Sequence, residues 1–128
     1  MQYKRLTTGF TLIEILVVLT IISIMMSLVA PRYFDSIDRS KEKVLQHDLI
    51  VMREAIDMYV SDRNIYPDTL QDLVGGKYLR AVPVDPITDR ADTWIFTPPS
   101  GDEFEGDMAD VHSGTPLISS NGTAYEEW

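Results

Sequence analysis

Apolar and polar positions follow two different patterns along the chain. Residues 10–30, FTLIEILVVLTIISIMMSLVA, are apolar on every side and carry one charge, Glu14. A helix of that length, at about 1.5 Å per residue, spans roughly 30 Å, the hydrocarbon thickness of a bilayer. Further on, Leu45, Leu49, Met52, Ile56 and Tyr59 recur at steps of 4, 3, 4 and 3, with Val44, Ala55 and Val60 widening the stripe. That spacing predicts an amphipathic helix with one buried face. Pro31 lies between the two patterns, and because helical sequence resumes after it, a kink is expected rather than a stop. The two halves therefore read as one kinked helix from residue 10 to about residue 62, roughly 80 Å long at about 1.5 Å per residue.

Past Asn64, Tyr66-Pro67 breaks the helix. Asp68, with Gln71 three residues on, predicts the cap of a short helix ending at Val74. Gly75-Gly76 is expected to stop it through positive φ. The two prolines of Val82-Pro83-Val84-Asp85-Pro86 favour an extended crossing loop. Thr93-Trp94-Ile95-Phe96-Thr97 is a strand candidate, 108–112 a weaker one, and 115–119 a candidate edge. Asn121-Gly122 signals a turn. The fold class expected is α+β, with a small antiparallel sheet of two or three strands covering the second half of the long helix.

A length of 128 residues suits one domain. Eleven basic against 20 acidic residues give a charge of −9, which repels phosphates, so no nucleic-acid partner is expected. With no cysteine there is neither a disulfide framework nor a thiolate site. The charge balance is local. Residues 32–63 carry six basic and seven acidic side chains, whereas residues 84–128 hold ten acids against Arg90 alone. Lys4 and Arg5 precede the apolar run, so the positive-inside bias puts the N-terminus in the cytoplasm and the remainder outside in a single pass. Glu14 is the anomaly, since a carboxylate at the bilayer centre costs about 2.5–3.5 kcal/mol. It either snorkels to the headgroups or meets a buried cation. No Lys or Arg lies between residues 6 and 31, so such a cation comes from another molecule or from a newly made α-amino group.

Lys4-Arg5-Leu6-Thr7-Thr8-Gly9-Phe10-Thr11-Leu12-Ile13-Glu14 resembles the leader and cleavage site of type IV pilins and type II secretion pseudopilins. The resemblance implies a pilin-like fold, removal of residues 1–9 by a prepilin peptidase that cuts after Gly9, and N-methylation of Phe10. It implies that residues 10–31 are retained as a transmembrane and filament-core helix, with residues 32–128 as the periplasmic globular domain. It also makes Glu14 the assembly residue, paired with the Phe10 amine of a neighbouring subunit inside the filament. The second half carries shorter matches to major pseudopilins: Tyr59 through Asp62, Tyr66-Pro67, Leu70, Leu73-Val74, Asp85-Pro86, Asp110-Val111-His112-Ser113 and Trp128. Major adhesive pilins commonly close a C-terminal loop with a disulfide, which this chain has no cysteine to make. A major pseudopilin of the type II secretion filament is therefore favoured over a type IV or competence pilus subunit. The partners implied are the prepilin peptidase, further copies of the chain, minor pseudopilins and an assembly platform in the bacterial inner membrane.

The late acidic excess raises the question of calcium, which takes six to eight oxygen ligands. Asp102, Glu103, Glu105, Asp107 and Asp110 are available. Major pseudopilins bind calcium in a C-terminal loop that carries its own Asp ligands after a segment like 110–113. This chain departs from them, because no Asp follows Ser113. Asp107, Asp110 and Ser113 are the candidate ligands, alongside Ser119, Ser120 and Asn121. Asp110, His112 and Ser113 are too close on one strand to converge as a hydrolytic triad, and no catalytic residue is assigned. His47 reads as a solvated side chain, and Trp94, Phe96, Tyr59 and Tyr78 as core. Asn121-Gly122-Thr123 matches a glycosylation sequon of a kind common by chance. The reading from another class, a membrane-tethered binding module or enzyme, predicts that Gly9 and Glu14 tolerate substitution.

Overall fold

The computed structural model describes residue 2, residues 8–101 and residues 104–128. The leader residues Lys4 to Thr7 and the acids Asp102 and Glu103 lie outside the described residues. Helix α1 runs from Leu12 to Arg63 and passes through Pro31 without interruption. It starts two residues later than the apolar pattern alone suggests, because Thr11 caps it. The chain divides into two compact units, the first ending at Ile37 and the second comprising Asp38–Trp128.

In the second unit the stripe behaves as its period requires. Leu45, Leu49, Met52, Ile56 and Tyr59 are buried, and Ala55 with them. Val60 packs partly on this core, but Val44 is half exposed and does not widen the stripe. Helix α2, Leu70–Gly75, adds Leu70 and Leu73 to the same core. Its N-cap is Thr69, not Asp68. The Asp72 carboxylate accepts from the Asp68 amide, the Thr69 amide and the Thr69 hydroxyl at 3.1, 2.8 and 3.0 Å, so an acid rather than Gln71 occupies the third helical position. The expected glycine stop also works differently. Gly76 has φ −80°, and the left-handed residue is Lys77 at φ 66°. Glycine is needed at 76 for space, because a Cβ there would come within 2.7 Å of the Tyr78 ring.

Strands β1, Trp94–Thr97, and β2, Asp110–Ser113, form an antiparallel pair with Trp94 opposite Ser113 and Thr97 opposite Asp110. The edge expected at 115–119 contributes only an isolated bridge from Ile118 to Ala124 around the Asn121-Gly122 turn. Pro116 interrupts it, having no amide to donate. Trp94 is buried and donates its indole N–H to the Pro83 carbonyl at 2.9 Å, while Phe96 remains 38 % exposed and is not core. On β2, Val111 and Ser113 face inward, and Asp110 and His112 face the other way. A 3-10 turn, Tyr125–Glu127, closes the unit with Tyr125 buried.

Candidate processing and assembly site

Thr8, Gly9 and Phe10 are non-helical and exposed, immediately ahead of α1. A Cβ added at Gly9 would meet nothing within 4 Å, and the backbone there is not left-handed. Nothing among the described residues therefore requires glycine at this position, in contrast to Gly76. A requirement for it must come from whatever binds the segment.

Phe10 is 82 % exposed, and every large apolar side chain from Leu12 to Val29 is more than half exposed. Water does not tolerate an all-round apolar helix of this length. It needs lipid or other helices of the same kind. The hydroxyls of Thr20 and Ser23 donate to the Leu16 and Leu19 carbonyls at 2.7 and 2.8 Å, so neither asks for an external partner. Glu14 remains the ionisable group of the span. Its amide donates to Thr11 Oγ1 at 3.3 Å, and its Oε2 accepts from the Thr11 amide at 3.4 Å. These two bonds form a reciprocal cap on the first turn, at the helix end where the dipole favours a negative charge. Thr11 was legible in the sequence as the start of a Thr-x-x-Glu capping box. The box engages one carboxylate oxygen, and Oε1 has no partner among the described residues.

The second unit places the other singled-out residues in two separate clusters. Arg53 donates from Nε to Asp110 Oδ1 at 2.7 Å and from its terminal nitrogen to the Val111 and Trp128 backbone oxygens at 3.1 and 2.6 Å. His112 lies on the same side, with Nδ1 2.9 Å from the Trp128 oxygen and Nε2 3.3 Å from Asp110 Oδ2. Ser113 points into the core and donates to the fully buried Asp85 at 2.5 Å, which also accepts from the Ile87 amide at 2.8 Å. Hence Asp110 and His112 do not meet Ser113, and no triad is assembled. His47 is exposed on α1.

The calcium candidates are dispersed in the same way. Asp107 is exposed on a loop, Asp110 is held by Arg53, and Ser113 is on the opposite face of β2 with its hydroxyl committed to Asp85. Among the described residues, no three His, Asp or Glu side chains converge as metal ligands would. Among the described residues, Asp107, Asp110 and Ser113 do not come together as a six- to eight-oxygen calcium shell would require.

Sequence comparison adds independent findings. Residues 4–30 match a family described as "Prokaryotic N-terminal methylation motif". The chain is 32 % identical over 99 residues to the "Type II secretion system core protein G" of Aeromonas hydrophila, a match covering 65 % of this chain and 69 % of that protein. Proteins of the same name from Pseudomonas aeruginosa and Klebsiella pneumoniae are each 35 % identical, over 99 and 102 residues. Those matches cover 65 % and 67 % of this chain and 70 % and 71 % of the respective relatives. No solved structure gives a significant match.

Proposed function

The chain belongs to the type II secretion system core protein G family, and from that premise we propose that it is a major pseudopilin made as a precursor and cut between Gly9 and Phe10. The new Phe10 amine is then methylated, and residues 10–31 hold the subunit in the inner membrane with its N-terminus cytoplasmic and its folded unit periplasmic. Subunits leave the membrane to join a helical filament. Contacts between them are heterologous, since head-to-tail contacts that do not close generate an open helix. The filament's work is mechanical: it advances folded substrates, and the subunit itself catalyses nothing.

The observation that carries this reading is the combination at the start of α1. An exposed non-helical Gly9-Phe10 pair that the fold itself does not need precedes a fully unburied apolar helix with one carboxylate in its first turn. A plain membrane anchor has no use for either feature. In the filament, the Glu14 carboxylate accepts from the Phe10 amine of a neighbour, giving a charge pair shielded by protein instead of lipid. Recruitment of the prepilin peptidase, the minor pseudopilins and the assembly platform follows from the same reading.

Intact mass of the protein purified from cells with an active prepilin peptidase tests the proposal. The expected species lacks residues 1–9 and carries one added methyl group. A full-length, unmodified chain would sink it.

A further inference from the structure

Glu42 lies on α1 within the second unit, is 8 % exposed, and faces the C-terminal segment. Its Oε1 accepts from the Ser120 amide at 2.6 Å and from the Tyr125 hydroxyl at 2.9 Å, and its Oε2 accepts from the Ser120 hydroxyl at 2.6 Å. All three donors come from one segment, about 80 residues away in sequence. Around the Asn121-Gly122 turn the segment's polar groups bond to one another, and its Trp128 oxygen accepts from Arg53. Asn121 Oδ1 accepts from the Thr123 amide and hydroxyl at 3.1 and 2.7 Å, and the Thr123 hydroxyl accepts from the Trp128 indole at 2.8 Å. The Ser119 hydroxyl donates to the Thr123 carbonyl at 2.8 Å, and the Gly122 amide closes the turn on the Ser119 carbonyl at 3.0 Å. Among the described residues, no buried side-chain polar atom lacks a partner.

The polarity of this arrangement decides what can order it. A cation gathers lone pairs, so a loop folded around one turns its carbonyl, carboxylate and hydroxyl oxygens inward. Toward Glu42 the loop presents N–H and O–H groups, and donors of that kind bind an anion. We propose that the Glu42 carboxylate orders the 115–128 segment as an anionic clasp, so that this subunit's C-terminal loop forms without a metal. The proposal concerns the folded unit and holds whether or not the chain is processed after Gly9.

The electrostatics agree. Burial pushes the Glu42 carboxyl up, but the Ser120 hydroxyl and amide, the Tyr125 hydroxyl and the nearby Arg39 charge together hold it below the ordinary glutamate value. On the other side of the clasp, burial and the Glu42 charge, with a contribution from Asp38, push the Tyr125 phenol up to about 12. A carboxyl with a depressed folded pKa contributes stability that is present above its unfolded value and lost as the pH falls through the folded value. The clasp therefore opens in acid.

Thermal unfolding of the full chain in detergent, with added calcium or with chelator, tests the clasp together with amide exchange at Ser120 and Tyr125. The expected result is one midpoint in both solutions. Glu42→Gln is expected to lower it, to speed Ser120 exchange about tenfold or more, and to remain unrescued by calcium. The difference between wild type and Glu42→Gln should shrink as the pH falls below the glutamate range. Should Glu42→Gln fail to fold, Ser120→Ala removes a single donor and is expected to give a smaller fall in the same direction. A chelator-sensitive wild-type midpoint, or a Ser120 amide indifferent to both substitutions, overturns the proposal.

Discussion

The two halves of α1 are continuous in backbone and opposite in what they bury. Between Leu12 and Val29 no large apolar side chain is even half covered, whereas from Glu42 to Tyr59 one face is closed over by α2, β2 and the C-terminal segment. Both halves are α-helical. What differs is the solvent each half was built for. The second half is completed by its own chain, and the first is left for lipid or for other copies. Stability and assembly should therefore separate by position along a single helix.

The sharpest test of that separation is Glu14→Ala. It removes a cap on the first turn and the carboxylate available to a neighbour's amine, and it lies outside the Asp38–Trp128 unit. The expected outcome is a processed subunit with an unchanged unfolding midpoint that yields few or no filaments by electron microscopy. Normal filaments from Glu14→Ala would erase the distinction between this helix and a plain anchor.

A paired truncation probes the same contrast in stability. Leu49 is 2 % exposed and Leu19 is 55 % exposed. Leu49→Ala should cost about 2–5 kcal/mol by leaving a cavity, lowering the midpoint of the folded unit by roughly 10 °C or more. Leu19→Ala should leave that midpoint within about 2 °C, because it changes no packing inside the chain. Comparable losses from both would mean that the first half is buried in the isolated subunit.

The sequence was informative where one local rule governed a region. The bilayer-length run, the Leu45-Leu49-Met52-Ile56-Tyr59 stripe, the β1 and β2 segments and the Asn121-Gly122 turn each follow from a short-range pattern, and each is present. Where two local solutions competed, the reading slipped by a residue. Asp68-x-x-Gln71 and Thr69-x-x-Asp72 both read as capping boxes, and the charged Asp72 prevails because it accepts three donors at once. Long-range partners left no mark. Glu42 looks like one of many helix charges until Ser120 and Tyr125 fold back onto it, and Asp85 looks like a surface acid until Ser113 reaches it. Asp110, counted among the late acids, has Arg53 as its partner in the same way.

Asp48 offers the smallest effect and tests the account of charge within the completed half. Glu14 and Asp48 are both acids on α1, but Asp48 is half buried against the folded unit. Burial pushes its carboxyl up, the neighbouring His47 partly offsets this, and repulsion from the buried Asp85 adds to the rise. A folded pKa raised above the unfolded one means that the group favours folding fully only below its unfolded value, and that this contribution disappears as the pH rises through the folded value. At neutral pH the ionised Asp48 therefore opposes folding. Asp48→Asn keeps the shape and removes the charge, so the midpoint should rise by roughly 2–4 °C at pH 7. The gain should vanish as the pH is taken below the carboxylate range, where wild-type Asp48 is itself neutral. A midpoint that falls at pH 7 would instead make Asp48 a favourable partner of a cation such as His47, and would reverse the sign assigned to charge on this part of the helix.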